Sequence, residues 1–509
     1  MFDKHETIKD GELLMIKTGF DNEKYLEMQS QHIRERIDKF GGKLYLEFGG
    51  KLFDDYHASR VLPGFQPDSK LKMLLNLREQ AEIVIVISAD ALEKNKLRGD
   101  LGITYDLDVL RLIDAFRSVE LYVGSVVLTQ FRDQSKAKQF EKKLENLGVK
   151  VYRHYPIEGY PYDVAHIVSD EGYGCNDYIQ TSRELVVVTA PGPGSGKMAT
   201  CLSQLYHDHK HGIKAGYAKF ETFPIWNLPL KHPVNLAYEA ATADLNDVNM
   251  IDPFHLDAYG VTTVNYNRDV EIFPVLNNIF ERIYGQSPYK SPTDMGVNMV
   301  GNCIVDDDAV REAANREIVR RHMQAKCDFL QDKVGEQTVS KTKLLMKQAG
   351  LDISSRPTVA AATEKAEETG APAAALELND GTIVLGKTSS LLGASSALLL
   401  NALKKLAGLS DEVLLLSPSV IEPIQKLKTK NLGNNNPRLH TDEILIALSI
   451  CAVTNPTAAL AMKQLSKLKG CEMHSTVILS QVDVNVIKKL GINLTTTDQY
   501  QTKKLYHKS

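Results

Sequence analysis

The stretch from Leu185 to Gln204, LVVVTAPGPGSGKMATCLSQ, passes from strand character to glycine loop to helix, and it constrains the architecture of the whole chain. Leu185, Val186, Val187 and Val188 form a continuous apolar, mostly β-branched run, as expected of a parallel strand buried on both faces. The loop Ala190 to Lys197 follows at once, and a helix is expected from about Met198. A strand that feeds a helix through so short a loop belongs to an α/β fold, in which helices cover a parallel sheet. Glycines in such a loop let backbone N–H groups turn toward an anion, and the helix N-terminus adds a partial positive charge. Lys197 is then placed to neutralise a terminal phosphate.

Gly192, Gly194, Ser195, Gly196 and Lys197 are therefore the candidate phosphate-binding residues. The pattern G-x-x-x-x-G-K-[ST] is broken twice, because Pro191 stands where glycine is wanted and Met198 where a magnesium-binding hydroxyl is wanted. Thr200, or Ser195 inside the loop, is the substitute hydroxyl. A tight structural turn is the competing reading, since glycine and proline are first of all turn residues.

The flanking sequence repeats the α/β rhythm. Strands are expected at Leu44 to Phe48, Ala81 to Ala89, Leu121 to Thr129 and Val149 to Tyr155, with helices between them and no G-x-G-x-x-G fingerprint, so a Rossmann-like sheet is predicted without a dinucleotide. A chain of 509 residues exceeds what one core organises. Three domains are expected: 1–175 Rossmann-like, 176–335 carrying the glycine loop, and 336–509 a C-terminal α/β lobe.

Polar residues gather where strands end, the edge at which open parallel sheets bind ligands. Gly49, Gly50, Lys51, Asp54, Asp55, His57 and Arg60 follow the first strand; Arg98, Asp100 and Asp106 follow the second; Arg268 follows a strand expected at Val261 to Tyr266. The proline-broken run from Glu221 to His255 supplies Asp244, Asp247, Asp252 and His255 as candidate metal ligands or bases, with Asp252 and His255 set beside Lys197 as the catalytic candidates. Arg268 is a cofactor-binding candidate. The null alternative for each is a hydrogen-bonded loop residue.

Several chemistries are set aside. Net charge is -4 with 24% charged residues, so no global attraction to nucleic acid is expected. The six cysteines contain no C-x-x-C pair and read as free thiols in a reducing cytoplasm. The first fifteen residues are polar and unpatterned, either a frayed extension or a remnant, and no apolar run reaches membrane-spanning length. His207, His209 and His211 alternate, a spacing that scatters imidazoles around a helix, and there is no H-E-x-x-H, so no zinc is expected.

In the C-terminal third, Ser354 to Ala375 lacks periodicity and reads as a connector, Asn379-Asp380-Gly381 is a hairpin turn, and strands are expected at Glu412 to Leu416 and Ser475 to Leu479. Gly381 to Thr388, GTIVLGKT, satisfies the P-loop pattern letter for letter, yet Thr382 to Leu385 reads as a hairpin strand where a phosphate cradle needs a loop. Asn431 to Asn436 with Arg438 and His440 forms a polar loop that opens a helix.

Three long segments carry a resemblance: LEFGGKLFDDYHASRVLPGF at 46 to 65, TAPGPGSGKMATCLSQLYHDHKHG at 189 to 212, and KFETFPIWNLPLKHPVNLAYEAATADLNDVNMIDPFH at 219 to 255. Together they resemble the bacterial domain-of-unknown-function 1846 family, also called UPF-0371, over nearly the whole chain. The resemblance implies a multidomain α/β protein of the bacterial cytoplasm. From the residues, the expected function is binding of ATP, another nucleotide with Mg²⁺, or a phosphorylated small molecule, with phosphoryl transfer or hydrolysis as the reaction. The alternative is a non-catalytic binding or scaffold protein whose glycine loop is structural. No membrane or nucleic-acid partner is expected, and a chain of this size is expected to form a homodimer or larger homo-oligomer.

Overall fold

Runs of β-branched residues set the centre of the molecule. The computed structural model describes residues 18–502 apart from 50, 51, 54, 99 and 100, so Met1 to Met15 and the loop candidates Gly50, Lys51, Asp54 and Asp100 lie outside the described residues. Strands β1 (Leu44–Phe48), β2 (Ala81–Ser88), β3 (Tyr122–Thr129), β4 (Lys150–Arg153), β5 (Leu185–Thr189), β6 (Gly216–Phe220) and β7 (Gly296–Val297) build one seven-stranded sheet in the order β7-β6-β1-β5-β2-β3-β4. Every neighbouring pair is parallel. All residues of β2 and β5 are buried, as the unbroken apolar runs require when both faces are covered.

Helices α1 (Asn22–Lys39), α2 (Tyr105–Ser118), α3 (Lys197–Lys210) and α4 (Asn267–Tyr284) flank this sheet. Val84, Val86, Val186 and Val188 share a core with Cys201, Leu202 and Leu205 of α3 and Phe280 of α4. The chain divides into two compact units, one of Gly19–Glu239 with Asn246–Val310, the other including Ala240–Leu245 and 311–502. The boundary expected at 175/176 falls inside the sheet of the first unit, because β5 inserts between β1 and β2. Strand order across a sheet is not chain order, and hydrophobic periodicity reads only the latter.

The second unit has its own four-stranded sheet, β9-β8-β10-β11, from β8 (Ala373–Glu377), β9 (Ile383–Lys387), β10 (Glu472–Ser475) and β11 (Asn493–Thr496). β8 runs antiparallel to both β9 and β10, and β11 is parallel to β10. The long helix α5 (Asp307–Leu330) precedes it in the chain; α6 (Ala394–Leu406), α7 (Thr441–Cys451) and α8 (Gln481–Lys489) follow. Leu398, Leu403, Ile444, Leu448 and Ile487 from α6, α7 and α8 pack with Leu376 and Met473 of the sheet.

Three expectations for this unit are corrected, the first being the strand at Ser475 to Leu479, which lies earlier, at Glu472–Ser475. The connector at Ser354 to Ala375 holds helix Pro357–Thr369 and the start of β8; proline at the first helical turn and an alanine-rich sequence favour the helix despite its weak periodicity. Glu412 to Leu416 forms no strand. Leu415 and Leu416 are buried while Leu414 is exposed, so the apolar run is a turn pressed on the core before the helix Pro418–Lys426.

Candidate phosphate-binding site

β5 ends at Thr189 and α3 begins at Lys197, so the seven residues between them form the strand-to-helix loop. Gly194 has φ +74° with open space on its Cβ side, and Gly196, ahead of the first helical turn, has φ +90°. Both conformations lie in the left-handed region that side chains disfavour. The loop is tied down from two sides: Ser195 Oγ donates to the Gly192 carbonyl at 2.9 Å, and Thr129 Oγ1, at the end of β3, donates to the Ser195 carbonyl at 2.7 Å. No side chain caps α3, so its first N–H groups remain available at the loop.

Glu47, the fourth residue of β1, pairs in register with Val188 of β5 and with Lys219 of β6. Residues in register on adjacent strands share a face, which sets the Glu47 carboxylate beside Lys219. Lys197, in the first turn of α3, brings Nζ to 3.9 Å from Glu47 Oε1, both side chains retaining some exposure at 14% and 13%. Tyr217 Oη, two residues before Lys219 on β6, donates to Glu47 Oε2 at 2.7 Å.

Lys219 continues the cluster inward. Its ammonium contacts Asp269 and the Tyr266 hydroxyl, and lies 2.9 Å from Glu221 Oε1. Burial works to lower the Lys219 pKa, but the charges of Asp269 and Glu221 hold it well above the ordinary lysine range. Burial pushes Glu221 up to about 7, with Asp269 adding repulsion and Lys219 opposing the rise. The edge of the sheet thus holds two ammonium groups separated by the Glu47 carboxylate, and beside them an acid poised near neutrality.

The sequence candidates divide between this site and other tasks. Lys197, where the loop enters α3, meets Glu47 there. Arg268 stands next to the Lys219 cluster: its guanidinium lies 5.6 Å from the Tyr266 ring and its Nε 2.6 Å from Asp247 Oδ1. Thr200 is fully buried within α3, its Oγ1 enclosed without a partner. Asp252 is fully buried and caps helix Pro253–Tyr259, accepting from the N–H groups of Phe254 and His255 at 3.0 Å each and from Thr293 Oγ1 at 2.6 Å. His255 Nδ1 lies 2.9 Å from Ser291 Oγ, and its ring sits 4.7 Å from that of Tyr259, tilted by 46°. Neither Asp252 nor His255 contacts Lys197 among the described residues.

Of the remaining strand-end candidates, Asp55 caps helix Tyr56–Val61 and pairs with Lys70 at 2.6 Å, and Arg98 pairs with Asp108 at 2.9 Å. His207 faces the Asn176 carbonyl at 2.8 Å, and His211 stacks on Tyr178. Lys387 of the second P-loop pattern lies exposed on strand β9. Glu47, Tyr217, Lys219 and Glu221 escaped the sequence reading. Their signals were a lone carboxylate in the otherwise apolar LYLEF and two charges spaced by one residue in KFE.

Comparison with known proteins gives a family. The profile of "Domain of unknown function DUF1846, N-terminal" matches residues 18–350, and that of "Domain of unknown function DUF1846, C-terminal" matches residues 354–506. UPF0371 proteins of Streptococcus uberis, Streptococcus pneumoniae serotype 19F and Streptococcus thermophilus are each 60% identical over 494 residues, covering 97% of this chain and all of the relative.

Proposed function

The chain belongs to the DUF1846 family, and from the geometry of its site we propose that it binds a nucleotide or phosphorylated small molecule at the loop between β5 and α3. The observation that carries the reading is Lys197: it leaves the first turn of an uncapped helix, at the end of a central parallel strand, and reaches toward Glu47 without full burial. The loop N–H groups and helix N-terminus hold the phosphate, Lys197 neutralises its charge, and Lys219 adds a second cation. Where magnesium accompanies the phosphate, Glu47 is the carboxylate suited to it, since Thr200 is enclosed and Asp247 and Asp252 are committed to Arg268 and to a helix cap.

Phosphoryl transfer needs positioning and cationic stabilisation more than covalent chemistry. Glu221, with a pKa near 7, is the group fitted to take a proton from an attacking hydroxyl or water. We place the reaction in the cytoplasm; no helix among the described residues is long and apolar enough to cross a membrane.

Calorimetric titration with ATP and Mg²⁺, repeated with Lys197→Ala after circular dichroism has shown an intact fold, tests the reading. Affinity unchanged by the substitution sinks it. Two observations favour the scaffold alternative: a Cβ on Gly192 would stand 2.2 Å from Tyr105 Oη, and Ser195 bonds back within the loop, as in a turn built for packing. That reading predicts no small molecule in the native mass spectrum of the purified protein and no response to Mg²⁺.

A further inference from the structure

The second unit has a strand-end site of its own. β9 and β10 run in the same direction, both antiparallel to β8, so their C-terminal ends share one edge. Beyond it lies a cavity of about 40 Å³ whose walls include Thr388, Ser395, Arg438, His440 and Ser480. That volume admits about three waters, the scale of one phosphate group.

Three helices begin at this cavity. Gly393, His440 and Ser480 are the residues ahead of the first turns of α6, α7 and α8, and all three line it. Each N-terminus contributes a partial positive charge, and that of α6 has no side-chain cap.

The side chains independently point to a missing ligand. Thr388 is 9% exposed, and among the described residues its buried Oγ1 has no hydrogen-bond partner, which leaves a donor without an acceptor at the cavity wall. Arg438 donates through Nε to the Ser389 carbonyl at 2.7 Å; among the described residues its terminal nitrogens meet no carboxylate. His440, whose side chain also takes part in the capping box at the start of α7, is held through Nδ1 at 3.0 Å from Asp483 Oδ2 and lines the cavity. The Asp483 carboxylate is itself occupied: Oδ1 accepts from Thr441 N–H at 2.8 Å and Thr441 Oγ1 at 3.0 Å, and Oδ2 accepts from Ser480 Oγ at 2.8 Å. The other nearby charges, Lys428 and Glu443, are paired at 2.7 Å.

We propose that this cavity is a second anion site, built to take a single phosphate group and independent of the glycine loop. Donors come from the uncapped start of α6, the Thr388 hydroxyl and the Arg438 guanidinium, with the His440 imidazole beside them, an arrangement that matches a tetrahedral oxyanion better than a planar carboxylate. Free phosphate and the phosphate of a small monoester share this chemistry. The second P-loop pattern of the sequence ends at Thr388, so its threonine serves an anion through the strand-end edge of this sheet and not through a P-loop.

The test is calorimetric titration of the full chain carrying Lys197→Ala, which silences the first site, with inorganic phosphate, glycerol 3-phosphate and acetate. One saturable site for phosphate or its monoester, with weak response to acetate, is expected, and the stronger of the two phosphates identifies the source. Adding Arg438→Gln should weaken it by about tenfold or more. Thr388→Val, which keeps shape and removes only the unpartnered hydroxyl, should weaken it with the melting temperature unchanged or raised. The proposal is overturned if no saturable uptake remains in the Lys197→Ala background, if acetate binds equally well, or if neither substitution in the second unit alters affinity while the fold is intact.

Discussion

Two stretches of this chain carry P-loop lettering, and the backbone separates them. Pro191 to Met198 departs from the pattern at both ends, yet lies between a buried central strand and an uncapped helix, with Gly194 open to solvent. Gly381 to Thr388 matches every letter, yet Ile383–Lys387 is strand β9, paired along its length with β8. A strand commits its N–H groups to neighbouring strands and holds side chains alternately up and down, so it cannot wrap them around one anion. The lesson is that phosphate recognition by backbone is a property of conformation, and the letters matter only where they permit it.

The sharpest way to break this comparison is at Gly386, the glycine directly before the lysine and threonine of the exact pattern. A Cβ there would stand 2.3 Å from the backbone nitrogen of Leu398 and 2.7 Å from the Ala394 carbonyl oxygen, so β9 and α6 pack through this glycine. Gly386→Ala should destabilise the second unit by about 3 kcal/mol, since backbone atoms cannot yield as a side chain can. Chemical denaturation followed by circular dichroism measures it, and a change under about 0.5 kcal/mol would show that the glycine is kept for something other than packing.

Next in size is the lysine pair. Lys197→Ala should reduce ATP affinity by about 30-fold, the worth of one charge-assisted contact of roughly 2 kcal/mol, whereas Lys387→Ala should leave it within about twofold. The reverse result would move the nucleotide to the hairpin and undo the argument from context.

Glu221 offers a third test, confined to the region of the imperfect pattern. Its folded pKa of about 7 lies above the ordinary carboxylate value, so folding is favoured while the group is protonated, and stability falls as pH rises from the unfolded value near 4.5 through about 7. Gln mimics the protonated acid. Glu221→Gln should therefore match the wild type near pH 5 and gain on it by about 1 kcal/mol or more by pH 8, the loss of a partner for Lys219 holding the gain down. Parallel melting curves for the two proteins across that range would contradict the assignment of a raised pKa.

How far the sequence revealed this follows from which interactions are local. Strands β2, β3 and β5 of the large sheet were legible because an apolar β-branched run signals a doubly covered strand by itself, whereas the two residues of β7 carry no such run; Lys197 was legible because loop, lysine and helix adjoin. Glu47 was not, because its meaning depends on register with Lys219, far along the chain. Asp252 before proline reads equally as a ligand or a helix cap; only the folded positions of Phe254, His255 and Thr293 show it saturated as a cap. The walls of the second-unit cavity come from three helix starts scattered between residues 388 and 483, a convergence that no local spacing records.

The smallest effect makes the cleanest control. Gly194 and Gly381 occupy equivalent conformations, φ +74° and +81°, and a Cβ on either meets nothing within 4 Å. Alanine at either position costs only the left-handed backbone, about 1 kcal/mol, so the two variants should unfold at nearly equal denaturant concentrations relative to their own units. Their ligand behaviour should differ: Gly194→Ala disturbs the N–H groups proposed to hold a phosphate and should weaken ATP by several-fold, roughly 1 kcal/mol, while Gly381→Ala should leave affinity untouched. Equal stability loss with unequal binding loss would separate the role of a glycine in shaping a turn from its role in receiving an anion, and equal binding in both variants would assign the loop before α3 to packing alone.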